Sequence, residues 1–354
     1  MLRCALFVPA AFTFVSVAGG HPPDASGSHD DSRPTDQPAA PSDTKVSKAS
    51  PKNSVKIEVK DGVRTITCNG IPDHEPGKFP NRGNPNSISE QKYTFHVPEK
   101  PRAGVRGTPV RRDALVGVAL NGVVFDPGTA EAWKDDPRSG WNIEAILPAG
   151  VKGRDLGLDS SHAHVQPNGA YHYHSSPVAL VARLAKDKGV KAGDSMIQIG
   201  WAADGFPIYD AHAQTSAGDA KSAIKEMRSS YKLKAGERPA GDKGPGGKFD
   251  GTYTQDYQYT PGSGDLDEFN GRTGVTPEFP QGTYYYVVTG EFPYVPRQLK
   301  GTPDASFQKN DRPPGGGPGG GPGRRPGPGG PPGGPAGRPG GPGGPPPPPA
   351  SEPR

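Results

Sequence analysis

The chain has 354 residues, 52 of them Gly and 45 Pro, with 41 basic against 37 acidic side chains and a formal net charge of +4. Gly and Pro at this level, concentrated at the two ends, point to one folded domain with tails rather than two domains. The mild charge, with no basic run interleaved with aromatics, argues against a nucleic-acid partner.

The first residues, MLRCALFVPAAFTFVSVAGG, carry Arg3, an apolar run from Cys4 to Ala18 and small residues at Ser16-Val17-Ala18. That is the pattern of a secretory signal peptide over residues 1–18, too short for a membrane span, so a secreted or cell-envelope protein is expected. No later run approaches the roughly 20 apolar residues that cross a bilayer, so the mature chain is expected to have no transmembrane span. Cys4 leaves with the signal. Cys68 then stands alone, without an internal disulfide, and suits a small buried hydrophobe better than a ligand. Residues 19–53 are rich in Pro, Ser, Asp and Lys with almost no large apolar side chain, a disordered spacer.

The folded domain is expected over residues 54–306. VKIEVKDGVRTIT alternates apolar and polar residues around Asp61-Gly62 as a hairpin. Cys68–Gln91, dense in Gly, Pro and Asn, reads as a long structured loop holding Asp73 and His74. A strand at Lys92–Val97 follows, then a hairpin of Leu115–Leu120 and Val123–Phe125 around Asn121-Gly122. Asp126-Pro127 is expected to cap a short helix over GTAEAWK, Gly128 to Lys134, and Trp141–Gly150 to form a strand.

Ser161–Ser176, SHAHVQPNGAYHYHSS, concentrates four of the nine histidines in two alternating pairs, His162/His164 and His172/His174. Between the pairs, Pro167 presets φ for the first central position of a type I turn and Asn168 suits the second. Gly169 takes the left-handed conformation that closes a three-residue loop. Gln166 then faces Ala170, His164 faces His172 and His162 faces His174, so all four imidazoles share one face. Ala163 with Tyr173 and Val165 with Tyr171 make the other, apolar and aromatic face. A two-residue Asn168-Gly169 loop would slip the register by one and send the pairs to opposite faces. Pro167 favours the longer loop.

Downstream, Pro177–Gly189 is the clearest helix, opened by Pro and stopped by Gly. Met196–Asp210 reads as a strand, a turn at Asp204-Gly205 and a second short strand, and Ala220–Tyr231 as a further short helix. GTYTQDYQYT and GTYYYVVTGEFPYVP belong to the last ordered part. From Phe307 to Arg354 a Gly/Pro tract with scattered Arg forms a disordered tail, suited to contact with a cell wall or a polyanionic surface. The fold expected is mainly β, sandwich-like or barrel-like, with one or two short helices and long structured loops.

Neutral imidazoles suit Zn, Cu, Fe and Ni, and cross-strand neighbours about 4.5–5.5 Å apart at Cβ can converge on one ion. His162, His164, His172 and His174 are therefore the expected ligands of copper or zinc. Four imidazoles fit a tetragonal Cu(II), and three with water fit a catalytic Zn(II). The plainer reading of one such pair is a solvated strand face; two pairs facing each other favour a metal or a chemical role. Asp159, Asp204 and His74 are supporting candidates, since ligating histidines pass their second N–H to a carboxylate or carbonyl, although Asp is common in such turns without any function. His96 and His212 read as ordinary. The chain has no GxSxG, HExxH, phosphate-binding glycine loop or Cys/His knuckle. A secreted hydrolase using a histidine base would need a concave pocket beside the histidines. An extracellular structural protein acting at surfaces would rely on the tail instead.

AHVQPNGAYHYH, Ala163–His174, carries the four letters for which the YHYH-domain family is named. The chain resembles that family between Ile66 and Pro303, in CNGIPDHEPGKFPNRGNPNSISEQ, VGVALNGVVFDPGTAEAW, IGWAADGFPIYD and DLDEFNGRTGVTPEFPQGTYYYVVTGEFPYVPR. The resemblance implies a secreted or cell-surface protein without an established activity. Relatives often have Cys where Phe269 and Gln298 stand, which implies the loss of one bridge here. They also often have His where Tyr285 stands, so any ligand at that position would be missing from this chain.

Overall fold

The computed structural model describes residues 51–309. The expected signal peptide, the spacer up to Ser50 and the tail from Asn310 lie outside the described residues.

The first three strands show how alternation chooses a face. β1 (Val55–Lys60), β2 (Val63–Cys68) and β3 (Tyr93–Pro98) form an antiparallel sheet in that order. Lys60 pairs with Val63 across a two-residue turn whose Asp61 and Gly62 both have positive φ, the turn that suits the right-handed twist of a hairpin. Ile66 and Cys68 of β2, with Phe95 and Val97 of β3, turn inward and share one core with the larger sheet, a sandwich-like arrangement. Arg64 lies over the Trp201 ring at 3.6 Å. Cys68 is buried and free, as a small hydrophobe would be.

The remaining elements, in chain order, are β4 (Thr108–Pro109), β5 (Gly117–Ala119), β6 (Val124–Phe125), β7 (Ala163–Val165), β8 (Tyr171–Tyr173) and α1 (Val178–Asp187). They continue with β9 (Gln198–Ala202), β10 (Pro207–Tyr209), β11 (His212–Gln214), β12 (Ile224–Glu226), β13 (Tyr231–Leu233) and β14 (Tyr257–Tyr259). β15 (Gly271–Gly274), β16 (Thr283–Val287) and β17 (Gln298–Leu299) complete the set. Eight of these strands make the main sheet, in the order β15-β16-β10-β9-β5-β6-β8-β7. It is mixed: β10 and β16 run parallel, as do β6 and β8, and the other pairs are antiparallel.

Period two lets this sheet bury both faces. Ile208, Tyr284 and Tyr286 join the large core, whereas Tyr209, Tyr285 and Val287 join a smaller one with Met196, Met227 and Leu266. The fold is mainly β, with α1 the one α-helix among the described residues. α1 starts after Pro177 and is followed by Gly189 at φ +67°, matching its expected punctuation.

Three elements differ from expectation. GTAEAWK is not a helix: its end forms a single 3-10 turn, Trp133–Asp135, while Ala132 bridges to Asn142 and Thr129 Oγ1 donates to the Ile143 carbonyl. Seven residues are too few to sustain a helix against such non-local bonds. Trp141–Gly150 is not a strand beyond bridges at Asn142 and Ile143. Ala220–Tyr231 holds β12 and the start of β13 instead of a helix, because Ile224 pairs with Gln214 of β11 and Tyr231 with Tyr259 of β14. Phe307, at the head of the expected tail, is 1% exposed and stacks on Phe95 at 4.4 Å.

Candidate metal centre

Two turns of the same kind frame the hairpin. In the first, the Asp159 amide donates to the Ala163 carbonyl at 2.8 Å and the His162 amide to the Asp159 carbonyl at 3.0 Å. In the second, Gln166 donates to Ala170 at 2.9 Å and Gly169 to Gln166 at 2.8 Å. Each is a three-residue loop closed by a residue in the left-handed region, Gly169 at φ +85° and His162 at φ +54°. The second loop sets the expected register: Val165 opposite Tyr171, His164 opposite His172 and Ala163 opposite Tyr173. The first loop takes His162 off the strand. Its Nδ1 meets the Ser176 carbonyl at 2.9 Å, so its ring does not join the other three.

His164, His172 and His174 converge. The Nε2 of His174 lies 3.0 Å from that of His172 and 3.1 Å from that of His164. A carbonyl can only accept, so the His164 ring donates its Nδ1–H to Leu156 O at 2.8 Å and the His172 ring donates to Ala170 O at 3.2 Å. Both rings therefore present an Nε2 lone pair to the centre. His172 and His174 are each 2% exposed. Burial holds the His172 imidazole down at about 4, and burial with the neighbouring His172 holds His174 well below its ordinary value. All three rings are thus directed at one point, with the buried pair neutral near pH 7. Among the described residues they are the group able to hold a metal ion.

The donor set fits a tetrahedral ion. Zn–N distances of about 2.0–2.1 Å at the tetrahedral angle require nitrogens about 3.3 Å apart. The observed spacings reach that with an opening of a few tenths of an ångström. A fourth equatorial imidazole for tetragonal copper would have to come from His162, which is committed to Ser176.

The supporting candidates lie elsewhere. Asp159 Oδ2 accepts from the Tyr171 hydroxyl at 2.6 Å and from the Gly77 amide at 2.9 Å. His74 Nε2 meets the Tyr173 hydroxyl at 2.7 Å. Both therefore sit on the tyrosine face. Asp204, in the turn between β9 and β10, accepts from the Tyr286 hydroxyl at 2.6 Å and the Gly301 amide at 2.8 Å.

The profile of the YHYH protein family matches residues 94–301, more than half of the chain and the whole of this hairpin. The chain belongs to the YHYH family. No curated protein and no solved structure matches it.

The YHYH hairpin closes one wall of a cleft of about 480 Å³ lined by His164, His172, Gln166, Asp126, Arg112 and Lys309 among others. Asp126 was expected as a helix cap. Instead β6 runs beside β8 with Val124 opposite His172, which brings Asp126 to the histidine face. Its carboxylate accepts from Lys309 Nζ at 2.6 Å and Gln166 Nε2 at 2.9 Å. Nothing in the spacing of Asp126 or Lys309 announces this role. Tyr285 is fully buried in the small core and accepts from Arg272 Nε at 2.6 Å. That core excludes His164, His172 and His174, so Tyr285 is not a member of the triad. Phe269 and Gln298 are neighbours: Gln298 Nε2 donates to the carbonyl of Glu268, one residue before Phe269.

Proposed function

We propose that this YHYH domain binds a transition-metal ion through His164, His172 and His174, with zinc the ion that suits the site best. The observation that carries the reading is the convergence of three Nε2 atoms, that of His174 lying 3.0 and 3.1 Å from those of His172 and His164, the latter two locked as lone-pair donors by backbone carbonyls. Three neutral imidazoles with a position left for an outside ligand are the donor set of a catalytic zinc, whereas four were needed for tetragonal copper. A hydrolytic role is a second reading, favoured by the cleft that His164 and His172 line. Bound zinc would supply Lewis acidity there, and the chain would supply orientation and the Asp126–Lys309 pair. Export through residues 1–18 belongs to the same proposal, and N-terminal sequencing of secreted protein is expected to begin after Ala18.

The test is metal analysis of protein purified from its own secretion route, beside the His172→Ala/His174→Ala variant. Wild type is expected to carry tightly held metal and the double variant almost none. Equal metal in both would sink the proposal.

A further inference from the structure

The cleft's charges say what should sit beside the ion. Three neutral imidazoles leave a divalent ion's charge uncompensated. Asp126, the cleft carboxylate on the histidine face, is already paired with Lys309 at 2.6 Å and is 1% exposed. Of the other carboxylates on the cleft wall, Glu131 lies 3.9 Å from Arg154 and Asp113 lies 3.2 Å from Arg111. Arg112 is different. Its Nη2 donates to the carbonyls of Thr129 and Ala130 at 3.0 and 2.7 Å, which anchors the guanidinium at the cleft without neutralising it.

A held divalent ion and an anchored guanidinium on one cleft amount to three positive charges with no carboxylate assigned to them. We infer that the cleft binds a small molecule bearing an oxyanion, a carboxylate or a phosphate, drawn there by the charge that the ion would bring and by Arg112 on the same cleft. With the Nη2 hydrogens taken by the two carbonyls, the Nε–H and Nη1–H donors of Arg112 are left for single charge-assisted hydrogen bonds to the oxygens of either group. A volume of about 480 Å³ holds a small organic acid or phosphate ester rather than the anion alone. This inference rests on the metal reading, and its test separates the two.

The test loads the full chain with Co(II), whose visible bands respond to a change of ligand. Acetate and inorganic phosphate are titrated in separately, against acetamide as the neutral analogue, with ionic strength held by perchlorate. Saturable band shifts are expected with at least one of the two anions and none with acetamide, the tighter anion naming the class. Arg112→Gln is expected to weaken that anion about tenfold or more, as the loss of a charge-assisted pair implies, and Arg112→Lys to recover part of the loss. Circular dichroism confirms that both variants fold. Cobalt bands that ignore both anions, or respond equally to acetamide, overturn the inference and leave the metal site standing. Equal anion affinity in wild type and Arg112→Gln also overturns it. Absence of cobalt bands overturns the metal reading, and this inference with it.

Discussion

The two faces of the YHYH hairpin come from the same strands and differ in how their polar atoms are satisfied. On the tyrosine face every phenol has a partner supplied by the protein: Tyr171 donates to Asp159, and Tyr173 contacts His74 at 2.7 Å and Asn121 at 3.0 Å. Asn121 also donates to Asp73, which pairs with Arg183 of α1 at 2.8 Å. That chain of contacts ties the long loop after β2 to the hairpin and the helix. On the histidine face the three Nε2 atoms are turned toward one another, and the buried Nδ1 of His174 has no partner among the described residues. Similar burial thus serves two ends. The first face is closed by the protein alone; the second leaves polar atoms that the proposed metal would engage.

The contrast is broken most directly by removing metal. Chelation is expected to lower the stability of the wild type by about 4 kcal/mol where free ion had stood a thousandfold above its dissociation constant. Thermal unfolding with and without chelator measures it, and no change in the midpoint would remove the asymmetry between the faces. The next effect belongs to the metal-free protein. His172 titrates near 4 when folded and near its ordinary 6.5 when unfolded, so above 6.5 neither state takes the proton. Between 6.5 and 4 the unfolded chain binds a proton that the folded chain refuses, and stability falls as pH falls, on the order of 3 kcal/mol across the window. Urea unfolding of chelated protein at stepped pH reads this out, and a flat profile would contradict the burial of the triad.

Smaller effects sharpen the other side. Tyr173→Phe leaves the Asn121 amide and His74 short of a partner and is expected to cost about 2 kcal/mol with metal content unchanged. Tyr171→Phe is expected to cost about 1 kcal/mol, because Asp159 keeps the amides of Gly77, Ser161 and Ala163. Metal lost in either variant would show that the faces are not independent. His162→Gly should change least, within about 0.5 kcal/mol, since relief of a left-handed φ offsets the flexibility gained by the unfolded chain. Bound metal measured in that variant is expected to equal wild type.

Much of the hairpin was legible because its signals are local. Pro167 and Gly169 define a loop, and a loop defines which side chains face together. His162 escaped because the second turn is hidden in Asp159-Ser160-Ser161, where the Asp159 side chain accepts two amides and a histidine fills the position that glycine fills in the other loop. Asp126 and Lys309 escaped for a different reason. They reach the cleft through a parallel strand pair and through the last described residues, and neither carries a periodic mark. The helix expected at Ala220–Tyr231 gives way to strands because Ile224 pairs with Gln214 and Met227 is buried in the small core. Propensity over so short a span yields to such contacts.

The three converging histidines fall between positions 164 and 174, whereas the sheet around them draws its neighbours from Gly117 to Val287. Loop-closure entropy grows with the length of chain to be closed, so the hairpin meets its own partners sooner and at lower entropic cost than the sheet can. The expected order of assembly is a metal-competent hairpin first and the cleft last. An ion captured at that early stage would act as a nucleus on which the later strands dock, so metal supply would govern the rate of folding as well as the stability of the product.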